Sequence, residues 1–196
     1  MTTGRELPIV EVPDQDAWRR WLEANHAEAP GAWLKFAKKG SSTRTVTYAE
    51  AIEEALCHGW IDGQVRQFDE SFYLQRFTPR RPRSKWSQIN REKATRLIAD
   101  GRMRPAGLAQ VEDAKADGRW EAAYPPQSAA TVPEDLQREL DRNPQASAFF
   151  ETLKGQARYA FLYRLHNVTK PDSRGKRIAD YIELLSSGKT LQDRRD

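Results

Sequence analysis

Arg76, Arg80, Arg81, Arg83 and Lys85 place five basic side chains within ten positions of the stretch RFTPRRPRSKWSQIN. Guanidinium forks match the paired oxygens of a phosphate or carboxylate, and an indole such as that of Trp86 can stack on a base or on an arginine. No acid occurs between Ser71 and Arg91 to neutralise them locally. From Ser71 to Arg104 ten Lys/Arg face two Asp/Glu, a local +8 on a chain whose net charge is +4, so the remainder carries −4. The expected chemistry is anion binding by Arg80, Arg81, Arg83, Ser84, Lys85, Trp86 and Ser87. Pro79 and Pro82 should stiffen the segment into an extended stalk, and a helix start near Ser84 or Ser87 should add unpaired N–H groups for an anion.

A structural reading competes with this one. Thr45 to Glu70 holds six acids against the single base Arg66, so Glu50, Glu53, Glu54 and Asp62 could pair with the arginines inside the fold or across a dimer contact.

An enzymatic reading would use Asp62 or His58 as catalytic groups beside the basic loop. Cys57 precedes His58 on a helix, where neighbours point about 100° apart, so the pair is poorly placed to share a proton and a buried thiol is the simpler role. Asp62 in GWIDG suits an ion pair with an arginine of the basic run, or a hydrogen bond that fixes the backbone. Glu53 and Glu54 read as a solvated helix face. His26, His58 and His166 are too scattered in sequence to argue a metal site, and no cofactor is expected. SSGKT, Ser186 to Thr190, has Glu183 where a phosphate loop needs glycine, and follows a helix instead of a strand.

The elements that must position these groups are legible from punctuation and periodicity. LPIVEV reads as a first strand, and Asp14 opens a helix whose Trp18, Trp21 and Leu22 share a face. AWLKFAK is a second strand with Leu34 and Phe36 on one side. Thr47 and Glu50 form a capping box for a helix burying Tyr48, Ile52, Ala55 and Leu56 and ending at Gly59. WIDGQVRQF and SFYLQRF form a hairpin around Asp69 and Glu70, which sets Asp62 opposite Phe77. Two more helices end at Gly101 and Gly118, the second with Pro105 at its first position. AAYPPQSAATVP reads as a linker. Beyond it the chain reads as helix, with Asn143 as a cap, Ile178, Tyr181, Ile182 and Leu185 on one stripe, and a frayed tail LQDRRD. The expected fold is α+β: a small antiparallel sheet with packed helices in residues 1–121, a linker at 122–133 and an all-helical lobe at 134–196.

ALCHGWIDGQ, QRFTPRRPRSKWSQIN and GRMRPAGLAQVEDAKADGRW, with AFF, RYAFLYR and RIADYIELLSSGK further on, resemble the YdeI/OmpD-associated family, labelled bacteriocin-protection proteins. The resemblance extends from about Trp18 to Gly188. It implies survival under envelope stress or antimicrobial peptides, in a periplasmic setting with no agreed catalytic residues. The start MTTGRELPIVEVPDQD has no apolar run that would serve as an export signal, and Cys57 is the only cysteine. Both features direct the expectation to the cytoplasm.

Together these features predict a non-enzymatic cytoplasmic stress-associated protein with a basic surface for phosphate or nucleic acid. An enzyme acting on a small phosphorylated or carboxylated molecule, or a self-associating scaffold that forms a homo-oligomer, are the alternatives. No transmembrane segment is expected.

Overall fold

The computed structural model describes residues 6–193. Expectations placed on residues 1–5 and 194–196 lie outside them. The chain divides into two compact units, the first ending at Ala123 and the second starting at Tyr124.

In the first unit the order is β1 (Ile9–Val10), α1 (Gln15–Asn25), β2 (Ala32–Ala37), α2 (Tyr48–Cys57), β3 (Trp60–Gln67), β4 (Phe72–Pro79), α3 (Gln88–Ala99) and α4 (Pro105–Ala116). The fold is α+β. Its sheet is mixed and not purely antiparallel: in the strand order β1-β2-β4-β3, β1 lies parallel to β2 and the other neighbours are antiparallel. A helix between β1 and β2 returns the chain in the same direction, which is how a parallel pair is connected. β1 is also shorter than the LPIVEV run.

Helix starts follow the expected signals. Asp14 accepts from the Ala17 N–H, and Thr47 and Glu50 satisfy each other's backbone donors in a full capping box. Trp18 and Leu22 of α1 and Ile52 and Leu56 of α2 close over Leu34, Phe36 and Phe77 of the sheet in one core. Tyr48 is not part of it. At the first position of α2 it remains exposed, and its hydroxyl donates to Asp62 Oδ2 at 2.8 Å.

The hairpin reaches its expected register by an unexpected route. Near the turn Gln67 pairs with Tyr73, one position off a two-residue Asp69–Glu70 turn, yet Asp62 does pair with Phe77. A bulge at Gly63 and Gln64 absorbs the extra residue. Gln75, buried on the adjacent strand, donates its amide to the Gly63 carbonyl at 2.8 Å and so satisfies the bulged backbone.

α4 approaches α2 closely enough to require glycine. A Cβ on Gly107 would lie 2.4 Å from the Cys57 carbonyl oxygen, and the Arg104 N–H donates to that same oxygen at 3.1 Å.

The second unit holds a short 3-10 turn (Gln127–Ala129) and four helices, α5 (Glu134–Asp141), α6 (Pro144–Thr152), α7 (Gly155–His166) and α8 (Pro171–Ser186). Phe150, Phe161, Ile178, Tyr181 and Leu185 fill its core. Within the proline-rich segment before α5, the Pro125 carbonyl accepts from the Tyr159 hydroxyl on α7. Asn143 precedes α6 but does not cap it, because its amide turns back to donate to the Glu139 carbonyl. Nor does the tail fray at once: Leu191 is buried in this core, and Asp193 accepts from the Thr190 N–H.

Candidate anion-binding site

The basic run is held as a folded turn, not an extended stalk. β4 ends at Pro79, and the Arg80 N–H donates to the Gly59 carbonyl, tying the loop to the end of α2. The Arg81 N–H then donates to Ser84 Oγ at 3.0 Å, while the Ser84 N–H returns to the Arg81 carbonyl at 2.9 Å. Between them Arg83 stands at φ +67°, a conformation that non-glycine residues seldom adopt. The turn explains that angle. Ser87, not Ser84, caps α3 by accepting from the Asn90 N–H.

Two of the expected contact residues turn inward. Arg80 is 6% exposed, and its guanidinium lies over the Trp86 ring while Nη1 donates to the Lys85 carbonyl. Trp86 is 1% exposed and meets Trp120 edge-on at 4.9 Å between ring centroids. Its upper face is thus taken by Arg80, which leaves no room for a base. Arg81, Arg83 and Lys85 are exposed. Partial burial pulls the Lys85 ammonium below its ordinary value. Arg80, Pro82 and Arg83 form one wall of an open cleft of about 310 Å³ whose other wall is Gln110 and Asp113 of α4, with Arg119 at the rim. Arg119 is tied down: Nη1 donates to the Ser84 carbonyl and Nε to Asp117, whose carboxyl it holds below the usual range.

The acids preceding the run are engaged elsewhere. Glu53 pairs with Arg96 and Arg102, and Glu54 accepts from Arg102 at 2.7 Å and from Gln15 at 2.7 Å. Glu54, expected on a solvated face, is only 2% exposed. Burial works against the charge on Arg102, but its hydrogen bonds to Glu54 and Glu53 outweigh that and hold it above its ordinary value. Glu50 serves its cap, where the Thr47 backbone N–H lowers its carboxyl. Asp62 is paired with the Tyr48 hydroxyl and not with an arginine of the run. Arg81 and Arg83 form no ion pair among the described residues.

The catalytic candidates do not join this cleft. His58 is buried at the end of α2, and its Nδ1 carries the proton, since its partner at 2.8 Å is the Glu54 carbonyl, which can only accept. Desolvation holds its pKa down. His26, far away in sequence, ends α1 in the same pose, and the two rings lie 5.3 Å apart. The fold thus brings two of the three histidines together, though no cluster of three or more metal-ligating side chains occurs among the described residues. Cys57 is a buried core thiol pushed up to about 11 by desolvation.

The sequence offered no sign of a cleft in the second unit, about 650 Å³, beside α5 and α8. Its central pair is structural: Arg174 grips the Asp135 carboxylate with two nitrogens and donates to the carbonyls of Leu165, in the last turn of α7, and Val168, just beyond it.

The fold and the cleft define a two-unit α+β protein with a positively charged turn at a helix start. Residues 10–110, just over half of the 196-residue chain, match a domain of unknown function (DUF8412), and the chain belongs to that family; residues 129–188, within the second unit, match the family described as Bacteriocin-protection, YdeI or OmpD-Associated. The two matches divide the motifs that carried the resemblance. AFF, RYAFLYR and all but the last residue of RIADYIELLSSGK fall in the second, ALCHGWIDGQ and QRFTPRRPRSKWSQIN fall in the first, and GRMRPAGLAQVEDAKADGRW runs past the end of the first. No curated protein and no solved structure matches the chain. No helix among the described residues is long and apolar enough to cross a membrane.

Proposed function

We propose that this is a non-enzymatic, cytoplasmic, stress-associated protein that binds phosphate-bearing polyanions through Arg81, Arg83 and Lys85. The observation that carries the reading is where the neighbouring acids go. Glu53 and Glu54 are committed to Arg96 and Arg102, and Asp62 to Tyr48, so the turn before α3 keeps its positive charge at the surface. Arg80 supports the turn from beneath. Reciprocal Arg81–Ser84 bonds fix it, so little conformational freedom is lost on binding. Nucleic acid is the ligand favoured over a single small anion, because the cationic groups are spread along an exposed turn and the cleft beside them is open. The stress association is our reading of the words bacteriocin protection in the description of the family matched by the second unit.

Anisotropy of a labelled single strand titrated at low salt tests the reading. Saturable binding that weakens in the Arg81→Ala/Arg83→Ala variant supports it. Binding unchanged by that variant, or none at all, overturns it.

A further inference from the structure

The face of the sheet turned away from α1 and α2 combines aromatic rings with cations. Strand register puts Trp33 beside Arg76, then Lys35, Leu74 and Arg66 in one row across three strands, then Ala37 beside Phe72. All lie opposite Leu34, Phe36 and Phe77, which face the core. Leu74 is fully buried yet lies outside the core cluster, so its cover is on this outer face, where it stands between Lys35 and Arg66. Long cationic side chains bury such a residue with their stems and keep their charges outward.

The heads of those side chains lie over the rings. Lys35 Nζ is 4.0 Å from the Phe72 centroid and 5.1 Å from that of Phe68, and the Arg66 guanidinium carbon is 5.7 Å from Trp33. Phe68 is 44% exposed. Lys35 has one carboxylate partner, Glu11, at 2.8 Å. Arg66 and Arg76 form no ion pair among the described residues, and the Arg76 Nε–H is buried without an acceptor among them. Arg76 lies on β4, the strand that leads directly into the basic turn.

We propose that this face binds single-stranded nucleic acid, with bases displacing the loosely seated heads of Arg66 and Lys35 to stack on Trp33 and Phe68, and with phosphates paired by the displaced Arg66 and by Arg76. Rings interleaved with cations are what an unpaired strand requires, since every base has a π-face and every linkage a charge. An acidic peptide would use the cations but leave the rings unemployed. A bilayer would call for protruding apolar side chains, whereas Trp33 is half-buried and Phe72 is covered by Lys35. The inference deepens the phosphate-binding reading and rests on it for continuation of the backbone along the turn; the base contacts stand on the sheet alone.

The test compares a labelled oligothymidylate with an abasic strand of equal length, both titrated at low salt. The base-bearing strand should bind roughly fivefold or more tightly. Trp33→Ala and Phe68→Ala, each checked for an intact melting transition, should move that ratio towards one while leaving abasic binding in place. The exposed Phe68 supplies the second arm should the Trp33 variant fail to fold. Arg81→Ala/Arg83→Ala should weaken both strands alike. Equal binding of the two strands by the wild-type protein, or a ratio untouched by both ring variants, overturns the sheet-face proposal and leaves the basic turn standing. Binding of the thymidylate alone, sensitive to the ring variants, supports the sheet face and removes the turn. Trp33-dependent binding to phosphatidylserine vesicles with none to either strand would assign the face to a membrane and overturn the proposal.

Discussion

The guanidinium carbon of Arg80 lies 3.6 Å from the ring centroid of Trp86, and both residues are buried. A cation held over an indole away from water contributes up to about 2 kcal/mol. The arginine that opens the basic turn thus works as scaffold for its neighbours. This pairing makes the turn a fixed support for Arg81 and Arg83.

Removing the indole should therefore be costly. Trp86→Ala is expected to lower stability by about 3–5 kcal/mol, as for other buried aromatic truncations. Denaturant unfolding measures that. In a variant retaining Trp86 as its only tryptophan, iodide should quench far less than it quenches free tryptophan; full quenching would contradict the packing.

Gly107→Ala should destabilise by about 1–3 kcal/mol or more, since the new methyl would meet the Cys57 carbonyl and force α4 away from α2. Gly175→Ala on α8 is the control, because nothing stands within 4 Å of its added Cβ. Thermal melting should show that variant unchanged or slightly more stable.

His58 predicts an acid-sensitive fold. Its pKa is lowered by burial, so below about 6.5 the unfolded chain binds the proton that the folded one resists. The stability it contributes is fully present above about 6.5 and is lost as pH falls towards the folded value. Melting temperatures measured between about pH 7.5 and 5.5 should fall less steeply in His58→Gln than in the wild-type protein. Parallel curves would show that His58 is not the group responsible.

What could be read from the sequence was local. Asp14, Thr47, Glu50, Pro105, Gly59, Gly101 and Gly118 each act within a few residues of their own position, and the structure uses each where its signal stands. Pairing at a distance was hidden. Nothing in AIEEALC says that Glu54 is buried against Arg102, forty-eight positions on, or that His26 and His58 meet where two helices end. The bulge at Gly63 shows how an expectation can reach the right pair through the wrong turn: Asp62 does face Phe77, but by two irregularities that cancel. For the candidate site, the location of the charge was legible in RFTPRRPRSKW. The inward turn of Arg80 was not, and although Trp86 could be expected to pack under the helix start, its place between Arg80 and Trp120 depends on a pairing at a distance. The outer sheet face was missed for the same reason: Trp33, Arg66 and Phe72 lie on three strands, and only their register puts them together.

The central claim, that the turn before α3 neutralises phosphates, is tested most directly by the salt dependence of single-strand binding. Arg81, Arg83 and Lys85 as three contacts give a slope of log affinity against log salt of about −2, from about −0.7 per contact. In Arg81→Ala/Arg83→Ala that slope should flatten by about 1.4. A slope that is the same in the wild-type protein and the double variant would contradict the account.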